Sequence, residues 1–444
     1  MYKEPPFPSD IFERSEAFYS TRKGREAMGR VVVFSYPYFG HVNPTIGLVR
    51  ELAARGEEVY YYTIEPYMKY ISMKGVFCRS YGDVLKELEE EITITTTEPL
   101  DVLRHIVPHK LDKHKRMSNL LIERVMADDP DYIIRDCEAY WGKMLGTILD
   151  VPVICYITTI ALSEAMMDQQ PEFFLKNVLG SRTDSFTPVT SGLRFSEYLN
   201  QYTRELSQPY KVDFKAIDAF SGADDLNLVF TTPEFQPFGE YFGPDYVFIG
   251  PVIRTDEDEE DEGLAQVAGS YTLIYISMGT VYNECLSFYK KCIEAFRTSN
   301  YRIIMSIGMR IHPDELGDLP AHFTVQPRVA QNRILRQADV FITHGGHNSV
   351  NEALYHHVPM VLFPQAADQF VVSGRVEHIG AGISGDSRTC SAEEIASMTL
   401  QVLDNPSYRQ ACQRAGAFIR QTKGPQLAVD RISAHLKGAG LWEE

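Results

Sequence analysis

No stretch of the 444 residues comes near the roughly 20 consecutive apolar residues needed to span a bilayer. Residues Met1 to Met28 mix acidic and basic side chains without the apolar core of a secretory signal. The expectation is a soluble, cytoplasmic protein with no transmembrane segment. C-x-x-C pairs are also missing. The seven cysteines are scattered, as buried thiols in a reducing compartment would be, which disfavours zinc ribbons and redox dithiols. Positive charge is in short supply: 43 Lys and Arg against 60 Asp and Glu leave a formal charge of -17. That balance repels a phosphate backbone, so nucleic acid is not an expected partner. Neither a G-x-G-x-x-G following a leading strand nor a G-x-x-x-x-G-K-[ST] occurs, which weighs against hydride transfer and ATP hydrolysis.

What is present reads as globular. With 44% hydrophobic and 23% charged residues, a chain of this length can bury full cores without covalent staples. Length alone allows about three domains, or two large ones if they are α/β. Arg30 to Tyr36 is an apolar, β-branched and aromatic run, followed by a loop and by Pro44 opening a helical pattern. Glu58 to Tyr62, Asp131 to Arg135 and Val151 to Tyr156 are further strand candidates between helical stretches. After an apolar run ending at Pro251, Asp256 to Glu262 is an unbroken acidic block that reads as a solvated linker. Strand and helix alternation then restarts with Tyr271 to Ser277, Tyr301 to Met305, Phe323 to Gln326, Asp339 to Thr343 and Pro359 to Phe363. From Ala392 the pattern is helical, with breaks at Asn405-Pro406 and Gly424-Pro425. Continuous apolar strands alternating with helices predict two doubly wound α/β domains with parallel sheets. The expected division is an N-terminal extension at 1–28, a first domain at 29–250, an acidic linker at 251–268, a second domain at 269–425 and a final helix at 426–444.

Such sheets bind ligands beyond the carboxyl ends of their strands, so polar residues just after strands carry the most weight. His41, in Tyr36-Pro-Tyr-Phe-Gly-His41-Val-Asn-Pro44, follows the first strand. Its imidazole suits proton transfer near neutral pH; the plainer reading is a structural hydrogen-bonder. Asp136, after another strand, could fix the tautomer of such a base, with Glu138 as a competing partner. In Thr343-His344-Gly-Gly-His347-Asn348-Ser349-Val-Asn-Glu352, two glycines permit a tight turn before a helix. The amides of a helix start favour an anion such as phosphate, with His344 and Ser349 adding hydrogen bonds and Glu352 placed for a ribose diol. A zinc site built from His344, His347, His356 and His357 lacks a recognised ligand spacing, so no metal is expected. Ser277-Met-Gly279-Thr280 offers a small hydroxyl-bearing turn for pyrophosphate oxygens, and Asp368-Gln369 offers a carboxylate beside an amide for sugar hydroxyls. An ordinary helix start with an acidic first turn would account for that last pair as well.

These residues resemble the UDP-glycosyltransferase family, most closely its bacterial macrolide and natural-product branch. The likeness runs from Arg30 to about Leu427 and is most specific from Phe341 through Leu354 to Asp368-Gln369. It implies the GT-B fold of two Rossmann-like domains with the C-terminal helix crossing back. By resemblance His41 matches the catalytic base and Asp136 its supporting acid. His344, Asn348 and Ser349 match diphosphate ligands, Glu352 the ribose ligand, and Asp368 with Gln369 the sugar ligands. Ser277, Gly279, Thr280, Gly346, Arg328, Val329 and Gln331 complete the expected donor contacts. Plant members usually carry Trp where Arg328 stands and Pro where Ala330 stands, and a guanidinium plane can stack on a uracil in place of the indole.

The expected activity is inverting transfer of a hexose, glucose before others, from a UDP-sugar to a hydroxyl of a hydrophobic small molecule such as a macrolide, polyketide or flavonoid. The nucleotide sugar is a substrate, with no tightly bound cofactor, and the protein is a monomer or homodimer. Tyr38, Phe39, Tyr67, Met68, Trp141, Met166, Met167, Phe173 and Phe174 are candidates for an apolar acceptor pocket, although core packing explains any one of them equally well. A sugar-nucleotide epimerase or hydrolase, and a non-catalytic activator of a partner enzyme, are the alternatives. The first would release sugar and nucleotide without an acceptor conjugate; the retained His41 and Asp368-Gln369 argue against the second.

Overall fold

The computed structural model describes residues 29–82, 98–179, 193–210, 212–253, 271–280, 283–366 and 368–438. The extension at 1–28 and the acidic block from Asp256 to Glu262 lie outside them. The chain forms two compact units.

The first unit is built on a parallel seven-stranded sheet. Its strands are β1 (Arg30–Phe34), β2 (Glu58–Thr63), β3 (Val76–Ser80), β4 (Tyr132–Asp136), β5 (Val153–Ile157), β6 (Asn227–Val229) and β7 (Tyr246–Phe248), in the order β3-β2-β1-β4-β5-β6-β7. Val31 through Phe34 have no exposed surface, as expected of a central strand covered on both faces. One face packs Val32, Phe34, Tyr62 and Ile133 against Leu121, Val125 and Leu145, which come from helices Pro99–Asp128 and Tyr140–Leu149. The left-handed backbone of Asp129 and Asp150 closes the C-termini of those two helices. The last helix, Gly424–Gly438, also belongs to this unit. It lies along Thr45–Ala54, where Arg55 Nη1 meets Asp430 Oδ1 at 2.5 Å and Gln426 Nε2 donates to Glu51 Oε2 at 3.3 Å.

The second unit carries a parallel six-stranded sheet. Its strands β8 (Leu273–Ser277), β9 (Arg302–Ser306), β10 (Phe323–Gln326), β11 (Val340–Thr343), β12 (Met360–Leu362) and β13 (Gly382–Ser384) run in the order β10-β9-β8-β11-β12-β13. Ile274, Ile276, Met305, Ile342 and Val361 pack against Phe288, Cys292 and Phe296 of helix Leu286–Phe296. The expected break at Asn405-Pro406 is a change of helix: Asn405 Oδ1 accepts from Ser407 N at 3.1 Å and Pro406 occupies the first helical position.

Three boundaries differ from the sequence reading, the smallest being Gly250, which opens the second unit. Thr231–Pro237, assigned there to the first domain, belongs to the second unit. Arg375 holds it by donating to the carbonyls of Phe235 at 2.9 Å and Glu234 at 2.6 Å, and Phe235 packs on the His347 ring. The return to the first unit starts at Gly424, two residues earlier than expected. Strands β3, β6, β7 and β13 go beyond the strands expected from the sequence. β3, β7 and β13 are edge strands with partly exposed residues that interrupt the apolar run, Phe77 in β3 being 44% exposed, while β6 is buried but only three residues long. All seven cysteines are free. Cys78 and Cys285 are only partly covered, against the expectation of burial, and the other five are buried. Among the described residues no helix is long and apolar enough to cross a membrane.

Candidate functional site

In the first unit the strand order reverses between β1 and β4, and a crevice opens at the carboxyl ends of such a pair. His41 lies on the one-turn helix Phe39–Val42 that follows β1, and Asp136 is the last residue of β4. Adjacency of those strands bridges the 95 positions between them: His41 Nδ1 stands 2.8 Å from Asp136 Oδ2. Asp136 is fully buried, and its other oxygen accepts Glu138 N at 2.9 Å. A carboxylate only accepts, so Nδ1 carries the proton of this contact. Glu138, the competing partner, is turned away into an ion pair with Lys110 at 2.7 Å. The imidazole keeps 23% of its surface exposed.

The aromatic residues near the base divide into two groups. Tyr38 is exposed, and the Tyr36 and Tyr38 rings lie 5.6 and 6.3 Å from the imidazole. Phe39 packs on Tyr67 at 5.8 Å and on Tyr70 at 5.3 Å, with Met68 half-buried nearby in sequence. Trp141, Met166, Met167 and Phe174 do not fit the expected pocket. Trp141 has no exposed surface and sits in the core with Phe34 and Tyr81. The two methionines and Phe174 are buried in a cluster with Leu103, Leu199 and Phe214. Phe173, at the margin of that cluster, meets Phe238 edge-on at 5.2 Å. Amphipathic helices place their largest apolar residues inward, which is why residue type alone misassigned these four. Sequence reading also missed Thr158, whose hydroxyl lies 3.4 Å from His41 Nδ1; its place immediately after β5 was the available signal.

In the second unit the reversal falls between β8 and β11. The loops after both strands, with those after β10 and β12, carry the expected donor residues at the carboxyl end of this parallel sheet. Helix His347–Tyr355 starts at that end, at Gly346 and without a side-chain cap. The His344 ring is held between Gly279 and Gly346: a Cβ added to either would collide with Nε2. Gly279 has a φ of +82°, and Asn283 steadies its turn by donating to the Gly279 carbonyl at 2.9 Å. Ser277 is buried, and Thr280 is exposed at the mouth of the same loop.

Glu352 is buried and takes a 2.5 Å hydrogen bond from Gln331 Nε2, which also donates to Ser349 Oγ at 3.1 Å. Tyr275 OH holds Gln331 Oε1 at 3.0 Å from inside β8, a contact nothing in the sequence indicated. Asn348 follows His347 on the first turn. Val329 is buried beneath the loop after β10, while Arg328 is exposed. Asp368 opens helix Gln369–His378; the buried Gln369 accepts at Oε1 from Gln365 N at 2.8 Å and Ala366 N at 3.3 Å. His347, His356 and His357 point to separate partners: Asn351, Asn332 and Arg420. Among the described residues no group of three His, Cys, Asp or Glu is placed to hold a metal.

Burial pushes the His344 imidazole down to about 4, although the Asp368 carboxylate and a hydrogen bond with the Ser277 backbone pull the other way. At neutral pH it therefore offers a hydrogen bond and no charge. The unfolded chain takes up this proton near pH 6.5 and the folded chain only near 4, so acidification across that window favours unfolding. The buried His114, also pushed down by burial, acts in the same direction. The urea midpoint should fall between pH 6.5 and pH 4, and His344→Gln should remove part of that fall. An identical slope in the variant would contradict a neutral His344.

The family described as erythromycin biosynthesis protein CIII-like, C-terminal domain, matches residues 291–433. YojK of Bacillus subtilis, named an uncharacterized UDP-glucosyltransferase, is 32% identical over 411 residues, covering 92% of this chain and 98% of its own. The oleandomycin glycosyltransferase of Streptomyces antibioticus is 26% identical over 411 residues, covering 91% of this chain and 90% of its own. The crystal structure of CalG, numbered four, the calicheamicin glycosyltransferase, shares the fold with a TM-score of 0.75 at 22% identity, over 92% of this chain and 98% of that one. The chain belongs to the UDP-glycosyltransferase family, in its bacterial macrolide and natural-product branch, and has the GT-B fold.

Proposed function

We propose that the protein transfers a hexose, glucose before others, from a UDP-sugar to a hydroxyl of a hydrophobic small molecule, inverting the anomeric centre. The 2.8 Å contact between His41 and Asp136 at the strand reversal carries this reading. The acceptor hydroxyl gives its proton to His41 Nε2 while its oxygen bonds to the anomeric carbon. The bond from that carbon to the diphosphate oxygen breaks in the same displacement. Asp136 stabilises the imidazolium that forms, and the proton later passes to solvent. The leaving diphosphate gains charge, and the first-turn amides of helix His347–Tyr355 with the His344 N–H are arranged to receive it. Glu352 and Gln331 would hold the ribose, Arg328 and Val329 the base, and Asp368 with Gln369 the sugar hydroxyls. The relative named a UDP-glucosyltransferase supports the choice of UDP and glucose. Tyr36 and Tyr38 beside the base, with Phe39 packed on Tyr67, support a flat or hydrophobic acceptor.

Incubation with UDP-glucose and a panel of phenols and macrolides should yield a conjugate heavier by one hexose, with UDP released in equal amount. Its anomeric coupling in proton NMR should report the β configuration from the α donor. Free glucose and UDP with no conjugate across the panel would turn the reading to a sugar-nucleotide hydrolase.

A further inference from the structure

Arg135 is fully buried one position before Asp136 in β4, where alternation sends its side chain to the other face of the sheet. Its Nε donates to Asp224 Oδ2 at 2.7 Å. Its Nη1 donates at 3.2 Å to each of two carbonyls, those of Asp136 and Cys137. The Tyr140 ring lies 5.7 Å from the guanidinium carbon, and Lys143 Nζ binds the second oxygen of Asp224 at 3.2 Å. Gly222 lets the chain close around this fork: its N donates to the Cys137 carbonyl at 3.3 Å, and a Cβ there would stand 3.0 Å from both terminal guanidinium nitrogens. Taking two charges out of water is costly, and an apolar pair of similar volume would pack β4 at least as well. What an apolar pair cannot do is bond the two peptide carbonyls at the point where β4 ends.

Those carbonyls flank the reacting dyad. Asp136 accepts at its own carbonyl from Ala139 N at 2.9 Å and from Arg135 at 3.2 Å, at Oδ1 from Glu138 N and at Oδ2 from His41, and the next peptide N–H, that of Cys137, donates to the Tyr156 carbonyl at 2.9 Å; the fork is the side-chain part of this hold. Rotation of the peptide after Asp136 would swing the carboxylate and the imidazole together, and a misplacement of about 1 Å can cost on the order of 10² in rate. We propose that Arg135, anchored by Asp224, is a positioning residue for sugar transfer: its fork fixes the Asp136–Cys137 peptide and thereby the orientation of His41. This rests on His41 being the base. Lysine cannot replace the fork, because one ammonium on a flexible stem does not hold a carboxylate and two carbonyls in a fixed plane.

The test uses Arg135→Lys and the paired Arg135→Met/Asp224→Leu, each in the wild-type and the His41→Ala backgrounds. Near-UV circular dichroism reports folding, calorimetry reports UDP affinity, and kcat is followed against pH. In the wild-type background both variants should keep UDP affinity within about twofold and lose about 10- to 100-fold in kcat, with the limb of the pH profile that reports the base displaced. In the His41→Ala background the same changes should cost almost nothing further. Equal losses in both backgrounds, or an unmoved pH limb, would assign Arg135 a purely structural part and overturn the proposal. Should Arg135→Lys fail to fold, the paired variant, which leaves neither Arg135 nor Asp224 charged, decides alone. A normal rate in His41→Ala itself would instead remove the base reading, so the two failures are distinguishable.

Discussion

Replacing His41 by alanine is expected to lower the transfer rate constant by about 10² to 10⁴, the range that a positioned general base supplies. UDP affinity should stay within about twofold, because every donor residue named here lies on the second unit. The loss should appear in kcat and not as a raised donor KM, since the imidazole acts only as the hydroxyl is deprotonated. Asp136→Asn should bring a loss of similar order for a different reason. An amide can donate towards Nδ1, which moves the imidazole proton to Nε2 and removes the lone pair that must accept from the acceptor. Steady-state rates with saturating donor and acceptor measure both variants. His41→Ala with wild-type kcat would end the assignment, whatever the fate of the fold.

Enlarging the glycines beside His344 is expected to act on the donor instead. At Gly279 a Cβ would stand 2.5 Å from His344 Nε2, and at Gly346 it would meet the same nitrogen. The ring must move or the loop must open, and overpacking of this kind costs about 1–3 kcal/mol. If that cost falls on the donor-competent arrangement, UDP affinity drops about 5- to 150-fold in Gly346→Ala. Gly279→Ala should lose more, because its φ of +82° strains any L side chain as well. Gly374→Ala is the control: it lies in the helix Gln369–His378 and nothing stands within 4 Å of the added carbon. Calorimetric titration with UDP distinguishes them. Equal affinities for Gly346→Ala and Gly374→Ala would show that the ring is not held for the donor.

Much of this layout was legible before any coordinates, for a physical reason. Central parallel strands such as β1 and β8 are buried on both faces and so stand out as apolar runs. Their carboxyl ends then mark where His41, Asp136 and His344 must lie. The partly exposed edge strand β3 and the three-residue β6 carry no such run; in β6 the buried Asn227 bonds the carbonyls of Asp224 and Asp245. The choice between Asp136 and Glu138 needed the position of Lys110, 28 residues away on another element. The acceptor side was least readable. An aromatic ring is equally at home in a core or at a pocket wall, so Trp141 and Tyr38 look alike in sequence while one is sealed and the other open. The Arg135 fork was invisible for a related reason: an arginine in a strand advertises a surface until its buried carboxylate is seen.

The strand of chain from Thr231 to Pro237 has a practical consequence for anyone dividing the molecule. A fragment spanning Gly250 to Lys423 looks like a natural unit for expression, yet it would leave out the seven residues on which Arg375 docks. Such a fragment would expose the guanidinium and the face of His347 that Phe235 covers. Chimeras that exchange donor specificity between relatives therefore need to carry both pieces together, grafted at 231–237 as well as at 250–423.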